Sequence, residues 1–138
     1  MAISSQDRNL GRQWPVVAMQ EFELSQLENN AAVAAVKVPY GARVIGGGVL
    51  ITEVFNSGTT DVLDIGDGDD DDRYSGTPVP GQALGFTALD VTGFKYTTTD
   101  YIDITQVSTG TAATTGKGIL IVEYIVDGRA NEIVPDYD

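Results

Sequence analysis

Gly118-Ile119-Leu120-Ile121-Val122-Glu123-Tyr124-Ile125-Val126 is the strongest strand signal in the chain. The run is too short for a helical core, and it is rich in β-branched and aromatic residues that fit a pleated surface. Its nearly unbroken apolarity predicts a strand buried on both faces or nearly so. Upstream, Ser108 to Gly116 is a Thr, Ala and Gly segment that reads as a linker. Before it, Tyr101-Ile102-Asp103-Ile104-Thr105 alternates with a period of two, the pattern of a strand with one wet face.

The same grammar recurs toward the N-terminus. Arg43 to Phe55 is dense in Val, Ile and Leu and is interrupted by Gly46-Gly47-Gly48. Glycines inside a strand mark a bulge or a close backbone approach. A phosphate-cradling loop is the other meaning of such a triplet. It requires a following Lys-Ser or Lys-Thr and a helix, and neither is present. In Asp61-Val62-Leu63-Asp64-Ile65, Leu63 and Ile65 fall on one face while Val62 and Asp64 fall on the other. Shorter apolar pieces lie at Leu84 to Leu89 and Gly93 to Tyr96. Residues 25–38 are ambiguous: Ser25 and Glu28 have capping-box spacing, yet Val36-Lys37-Val38 alternates into Pro39, which favours a strand over 32–38. From Trp14 on, Val16, Ala18, Gln20, Phe22 and Leu24 share one side of a two-residue period.

These make about eight short strand-like runs with no long helix, which predicts an all-β fold, a jelly-roll-like antiparallel β-sandwich with an extended N-terminal arm. The boundaries follow from composition. Residues 1–13 are polar and form the arm, 14–126 form the sandwich, and 127–138 form an acidic C-terminal tail.

What the chain lacks is as informative as what it has. Its 138 residues include no Cys and no His. Thiolate metal sites and disulfides are excluded, as are Ser–His and Cys–His nucleophile pairs and the usual general base near neutral pH. The expectation is a protein that is not an enzyme. The formal charge of −12 repels nucleic-acid backbones and anionic membranes, so neither is an expected partner. The opening residues Met1 to Arg8 have no apolar core of the kind a secretory leader carries.

Three groups remain as candidates for function. The acidic loop offers Asp67, Asp69, Asp70, Asp71 and Asp72, with Asp64 nearby, as oxygen ligands for Ca²⁺. It does not follow the EF-hand pattern, because Asp72 stands where that loop needs Gly and Pro78 stands where it needs Glu. A solvated surface loop is the plainer reading, with no cofactor. Asp103 and Glu123 lie on strands and are candidates for paired-carboxylate hydrolysis, which requires that they share a cleft. Arg8, Arg12 and Trp14 give the arm local positive charge and an aromatic anchor, the chemistry of a segment that clamps an acidic or apolar neighbour.

Val38-Pro39-Tyr40-Gly41-Ala42-Arg43-Val44-Ile45-Gly46-Gly47-Gly48 resembles a strand–turn–strand of small head proteins of tailed bacteriophages. So do Leu63-Asp64-Ile65-Gly66-Asp67-Gly68-Asp69 through Asp72-Arg73-Tyr74, and Tyr101-Ile102-Asp103-Ile104-Thr105 followed by Gly116 to Tyr124. The order of these blocks carries the resemblance more than any one of them. The group includes capsid decoration, or cement, proteins. The resemblance implies a jelly-roll-like virion structural protein, made in the host cytoplasm and placed on the outer capsid surface. It also implies a major capsid protein as partner, and self-association as a homotrimer. The alternative is a β-sandwich module of a phage tail or fibre that binds surface glycans with Ca²⁺ in the acidic loop.

Overall fold

The computed structural model describes residues 13–129. Arg8, Arg12 and the tail beyond Arg129 lie outside the described residues.

Eight strands form two four-stranded antiparallel sheets. They are β1 (Val16–Glu23), β2 (Ala32–Val38), β3 (Ala42–Glu53), β4 (Thr60–Gly66), β5 (Val79–Pro80), β6 (Gly85–Ala88), β7 (Asp100–Thr109) and β8 (Lys117–Val126). The orders are β1-β8-β3-β6 and β2-β7-β4-β5. This is a jelly roll, in which the chain alternates between sheets and the first and last strands become neighbours. The strand expected at 32–38 is present over those residues.

The core forms between the inner faces. β8 supplies Leu120 and Val122, β3 supplies Val44, Val49 and Ile51, and β1 supplies Phe22. From the second sheet come Val36 and Val38, Leu63 and Ile65, and Ile102 and Ile104. Phe55 is fully buried and stacks on Phe22 at 6.3 Å between ring centroids. Each strand reaches this layer because its two-residue period places one set of side chains inward.

Several local expectations change. β8 is central in its sheet, but only one of its faces is fully buried; Ile119, Ile121 and Ile125 on the other are half-exposed. Its continuous apolarity therefore reflects one true core face plus an apolar outer face. The short turn before β2 is a 3₁₀ helix, Leu24–Gln26, capped by Glu23 and Gln26 rather than by Ser25 and Glu28. Gln26 Oε1 accepts from the Glu23 N–H at 2.9 Å. β7 continues to Thr109, into the expected linker. Residues 93–96 make only an isolated bridge, Lys95 to Arg43.

The glycine triplet is both a bulge and a close approach. The β3–β8 register shifts between Val44 and Gly46, which leaves Ile45 as the extra residue. Gly47 has φ +119, and a Cβ there would lie 2.1 Å from the Ile121 carbonyl oxygen. A Cβ on Gly48 would meet the tip of the Phe86 ring, which lies across the sheet at that point.

Two substitutions test this packing by chemical denaturation. Leu120→Ala removes a fully buried side chain and is expected to cost about 2–5 kcal/mol. Gly47→Ala meets both positive φ and a backbone clash, and is expected to cost at least about 1–3 kcal/mol.

Candidate functional site

The acidic loop follows β4 and is organised around one residue. Asp67 is buried, and its two carboxylate oxygens together accept five hydrogen bonds. The N–H groups of Asp69 and Asp70 reach Oδ1 at 3.1 and 3.0 Å. Arg73 donates through both Nε and Nη2. The Tyr96 hydroxyl donates to Oδ2 at 2.7 Å and is itself 2.7 Å from the Tyr74 hydroxyl. The Arg73 guanidinium lies 3.6 Å from the centre of the Phe94 ring, and that ring meets Tyr96 edge-on. The loop closes on itself where Asp67 N–H donates to the Asp70 carbonyl and Tyr74 N–H donates to the Ile65 carbonyl.

The electrostatics follow from this arrangement. Burial pushes the Asp67 carboxyl up, but the bonds from Arg73, Tyr96 and the Asp69 N–H outweigh it and hold it below the ordinary aspartate range. Burial, followed by the bonds to Tyr74 and Asp67, pushes the Tyr96 hydroxyl well above its ordinary value. Asp64 and Asp72 move the other way from Asp67. Burial and the charges of Asp71 and Asp72 raise Asp64; a hydrogen bond with Asp70 leads the causes that raise Asp72. The loop thus holds one satisfied acid and a crowd of mutually repelling ones.

Asp70, Asp71 and Asp72 can bring one carboxylate oxygen each within 4.8 Å of one another. These three are the oxygen set that suits a hard divalent ion, while Asp67 already has its oxygens committed to protein donors. Asp69 is exposed on the same loop. Sequence spacing suggests the cluster and Arg73 beside it as a compensating charge, but it could not find Phe94 or Tyr96 as the loop's supports, because these come from a distant segment.

The paired-acid candidate separates. Asp103 is on β7, opposite Gly66 and Ala34 in one sheet. Glu123 is on β8, opposite Val17 and Gly46 in the other. Each points away from the core, so the whole sandwich lies between them and they share no cleft.

Trp14 is 87% exposed. Next to it, the Gln13 side chain replaces a strand residue in the ladder. Its Nε2 donates to the carbonyls of Val126 and Arg129 at 2.9 and 2.8 Å, while its Oε1 accepts from the Val126 N–H at 2.9 Å. Asp127 is held by Arg43 at 3.0 Å and by Lys95 at 3.6 Å. Gln13 and residues 127–129 therefore belong to the body, although composition assigned them to the arm and the tail.

The outer faces of the two sheets differ in character. On the β1-β8-β3-β6 sheet, Met19 lies opposite Ile121, and Ile119 lies opposite Leu50, which lies opposite Phe86. Val17, Met19 and Phe86 are 57, 63 and 57% exposed. On the other sheet, the outward side chains include Asp64 and Asp103, and burial is the first cause that raises both acids.

No protein-family model matches the chain, and no curated protein matches it. Chains of solved phage capsids do match. A chain of the acidic stable capsid structure of Helicobacter pylori bacteriophage KHP30 aligns with TM-score 0.65 at 17% identity, over 91% of this chain and 95% of that one. A chain of the cyanophage Pam1 capsid asymmetric unit gives 0.63 at 18%, over 91% and 98%. A chain of the capsid of Ralstonia phage GP4 gives 0.60 at 13%, over 83% and 84%. The fold is shared with chains of phage capsids. At these identities the likeness concerns the course of the backbone.

Asp67→Asn keeps the shape but removes the charge that Arg73 and Tyr96 address. It is expected to cost roughly 2–3 kcal/mol at neutral pH. A lowered folded-state pKa means that this stabilisation is present above the unfolded aspartate value and lost as pH falls through the folded one. The deficit of the variant should therefore shrink on acidification. Asp72 has the opposite sign: its raised value favours the fold at low pH and disfavours it once ionised. Asp72→Asn should raise the thermal midpoint at neutral pH and lose that gain in acid. Thermal melts of both variants across the acidic range check the two directions.

Proposed function

We propose that this chain is a structural subunit of a phage particle, a decoration or cement protein that binds the major capsid protein on the outer surface of the head and reinforces it. The observation that carries the reading is the whole-chain match. The jelly roll aligns over nearly the full length of chains from the KHP30 and Pam1 capsid structures, so the likeness is not confined to one hairpin.

Two features support this placement. The acidic loop keeps Asp69, Asp71 and Asp72 exposed, where water and salt screen their charges. The opposite sheet presents exposed aliphatic and aromatic side chains suited to a protein neighbour. Self-association as a homotrimer completes the reading, because a threefold set of weak contacts gains avidity from effective concentration.

Purified protein mixed with capsids that lack it should appear as added density at symmetry-related positions on the head. Bare capsids after mixing would overturn the proposal. Mass in solution by sedimentation should be three times that of the chain, and a monomer at assembly concentrations would remove the trimer from it. Deleting residues 1–12, or changing Trp14 to Ala, should weaken attachment with the melting profile unchanged. Undiminished occupancy in both variants would take the clamping role away from Arg8, Arg12 and Trp14.

A further inference from the structure

A jelly roll has four sheet edges, and each exposes backbone groups that can pair with another chain. Three of the four are blunted here. β5 has two residues and includes Pro80, and β6 has four. β2 breaks register between Ala34 and Val36 and carries an exposed Lys37. β1 has none of these devices. It runs for eight residues with an unbroken register against β8, from Val16 opposite Tyr124 to Glu23 opposite Lys117. It contains no Pro and no Lys.

The hydrogen bonds show which backbone groups of β1 face outward. Gln13 occupies both polar groups of Val126 on the β1 side, whereas the Asp127 N–H turns to Gly41 of the β3 side. With a period of two, Val16, Ala18, Gln20 and Phe22 then address β8, and Val17, Met19, Glu21 and Glu23 turn to the open edge. Two bonds agree with this phase. The Glu23 N–H is taken by Gln26, and the Glu21 carbonyl is taken by Gln20 Nε2 at 2.8 Å. Among the described residues, no partner is present for the N–H and C=O groups of Val17 and Met19 or for the Glu21 N–H.

Beside this edge lies a groove with an apolar floor. It opens between β1 and β2, has a volume of about 180 Å³, and is lined by Phe22, Leu27, Val33 and Ile104 together with Gln20, Glu21 and Gln26. A strand laid against β1 would point alternate side chains into that groove. Its other side chains would lie on the outer face, next to Val17, Met19 and the exposed carboxylate of Glu21.

We infer that β1 is a docking edge that accepts, by strand addition, an extended segment of another chain whose alternate residues are small and aliphatic and whose intervening residues are cationic. The aliphatic set fills the groove between the sheets, and the cationic set answers Glu21 and Glu23 in a chain whose net charge is −12. A second copy paired through its own β1 is disfavoured at this edge, because it would bring a further Glu21 and Glu23 against these acids. The inference rests on the proposed function only for the source of the segment, a neighbouring chain of the particle.

The probe is an acetylated, amidated nonapeptide of alternating valine and lysine, titrated into the isotope-labelled full chain and followed by amide resonances. The expected result is saturable binding that moves the Val17, Met19 and Glu21 amides and slows their exchange at least tenfold. The same peptide N-methylated at every residue keeps its charge but donates no ladder bond, and it should not bind. Met19→Pro should weaken the unmethylated peptide at least tenfold with the β8 amide pattern retained. Equal binding of the methylated peptide, or shifts confined to the Asp67 to Asp72 loop, would reduce the effect to charge attraction and overturn the inference. On capsids, wild-type occupancy with a folded Met19→Pro variant would overturn the edge as the docking site and leave the proposed function standing. Failure of the wild-type protein to occupy capsids would remove the proposed function, and the peptide titration would still decide the edge.

Discussion

Everything else in this molecule depends on the packing of β8 between β1 and β3 and against the opposite sheet. Leu120 and Val122 are fully buried at the centre of the first sheet, and they meet Ile102, Ile104, Leu63 and Ile65 from the second. Burying such side chains is worth about 1.5–3 kcal/mol each, against a backbone that loses entropy along its whole length. Each sheet alone would expose this layer, so the two sheets stand or fall together. Once the inner faces are committed to each other, the outer faces are free to diverge. One became apolar around Met19, Ile121 and Phe86, while the other carries Asp64 and Asp103.

The acidic loop shows a different way to stabilise crowded carboxylates. A bound cation would be one solution. The solution visible here is internal: Asp67 is desolvated, but it accepts from two backbone amides, an arginine and a tyrosine, and Arg73 is backed by the face of Phe94. Charge-assisted bonds are stronger than neutral ones, and their cooperation outweighs the cost of burial. Asp70 meets the same arginine at 4.0 Å, whereas Asp64 and Asp72 are raised, Asp64 by burial and Asp72 by its hydrogen bond with Asp70. One residue therefore fixes the shape of the loop while the rest give it its negative field. A loop with a fixed shape presents its charges in fixed places.

The two outer faces differ in their exposed apolar side chains: Val17, Met19 and Phe86 stand out on one sheet, although Glu21 and Glu123 share that face. The β1 edge, open among the described residues, belongs to the sheet that exposes Val17, Met19 and Phe86 and lies beside the groove between the sheets. Apolar face, edge and groove are contiguous, so a single neighbour could use all three.

The sequence by itself determined the class of the fold, because a two-residue alternation is a local property. Leu63 and Ile65, Ile102 and Ile104, and Leu120 and Val122 declare their inward faces without reference to any partner strand. The glycine triplet likewise announced a local irregularity, since only glycine tolerates Gly47's positive φ beside the Ile121 carbonyl. What the tertiary structure alone decided was everything set by contacts between distant segments. Asp103 and Glu123 looked alike, each an acid on a strand, yet sheet order put them on opposite sides of the sandwich. Gln13 and Asp127 read as the end of an arm and the start of a tail, yet both are tied to the body by hydrogen bonds and ion pairs across more than eighty residues. Tyr96 gave no local sign that it supports Asp67. Side-chain alternation is written within a few residues, whereas the meeting of two chain segments depends on the global closure of the roll, and no local pattern encodes it.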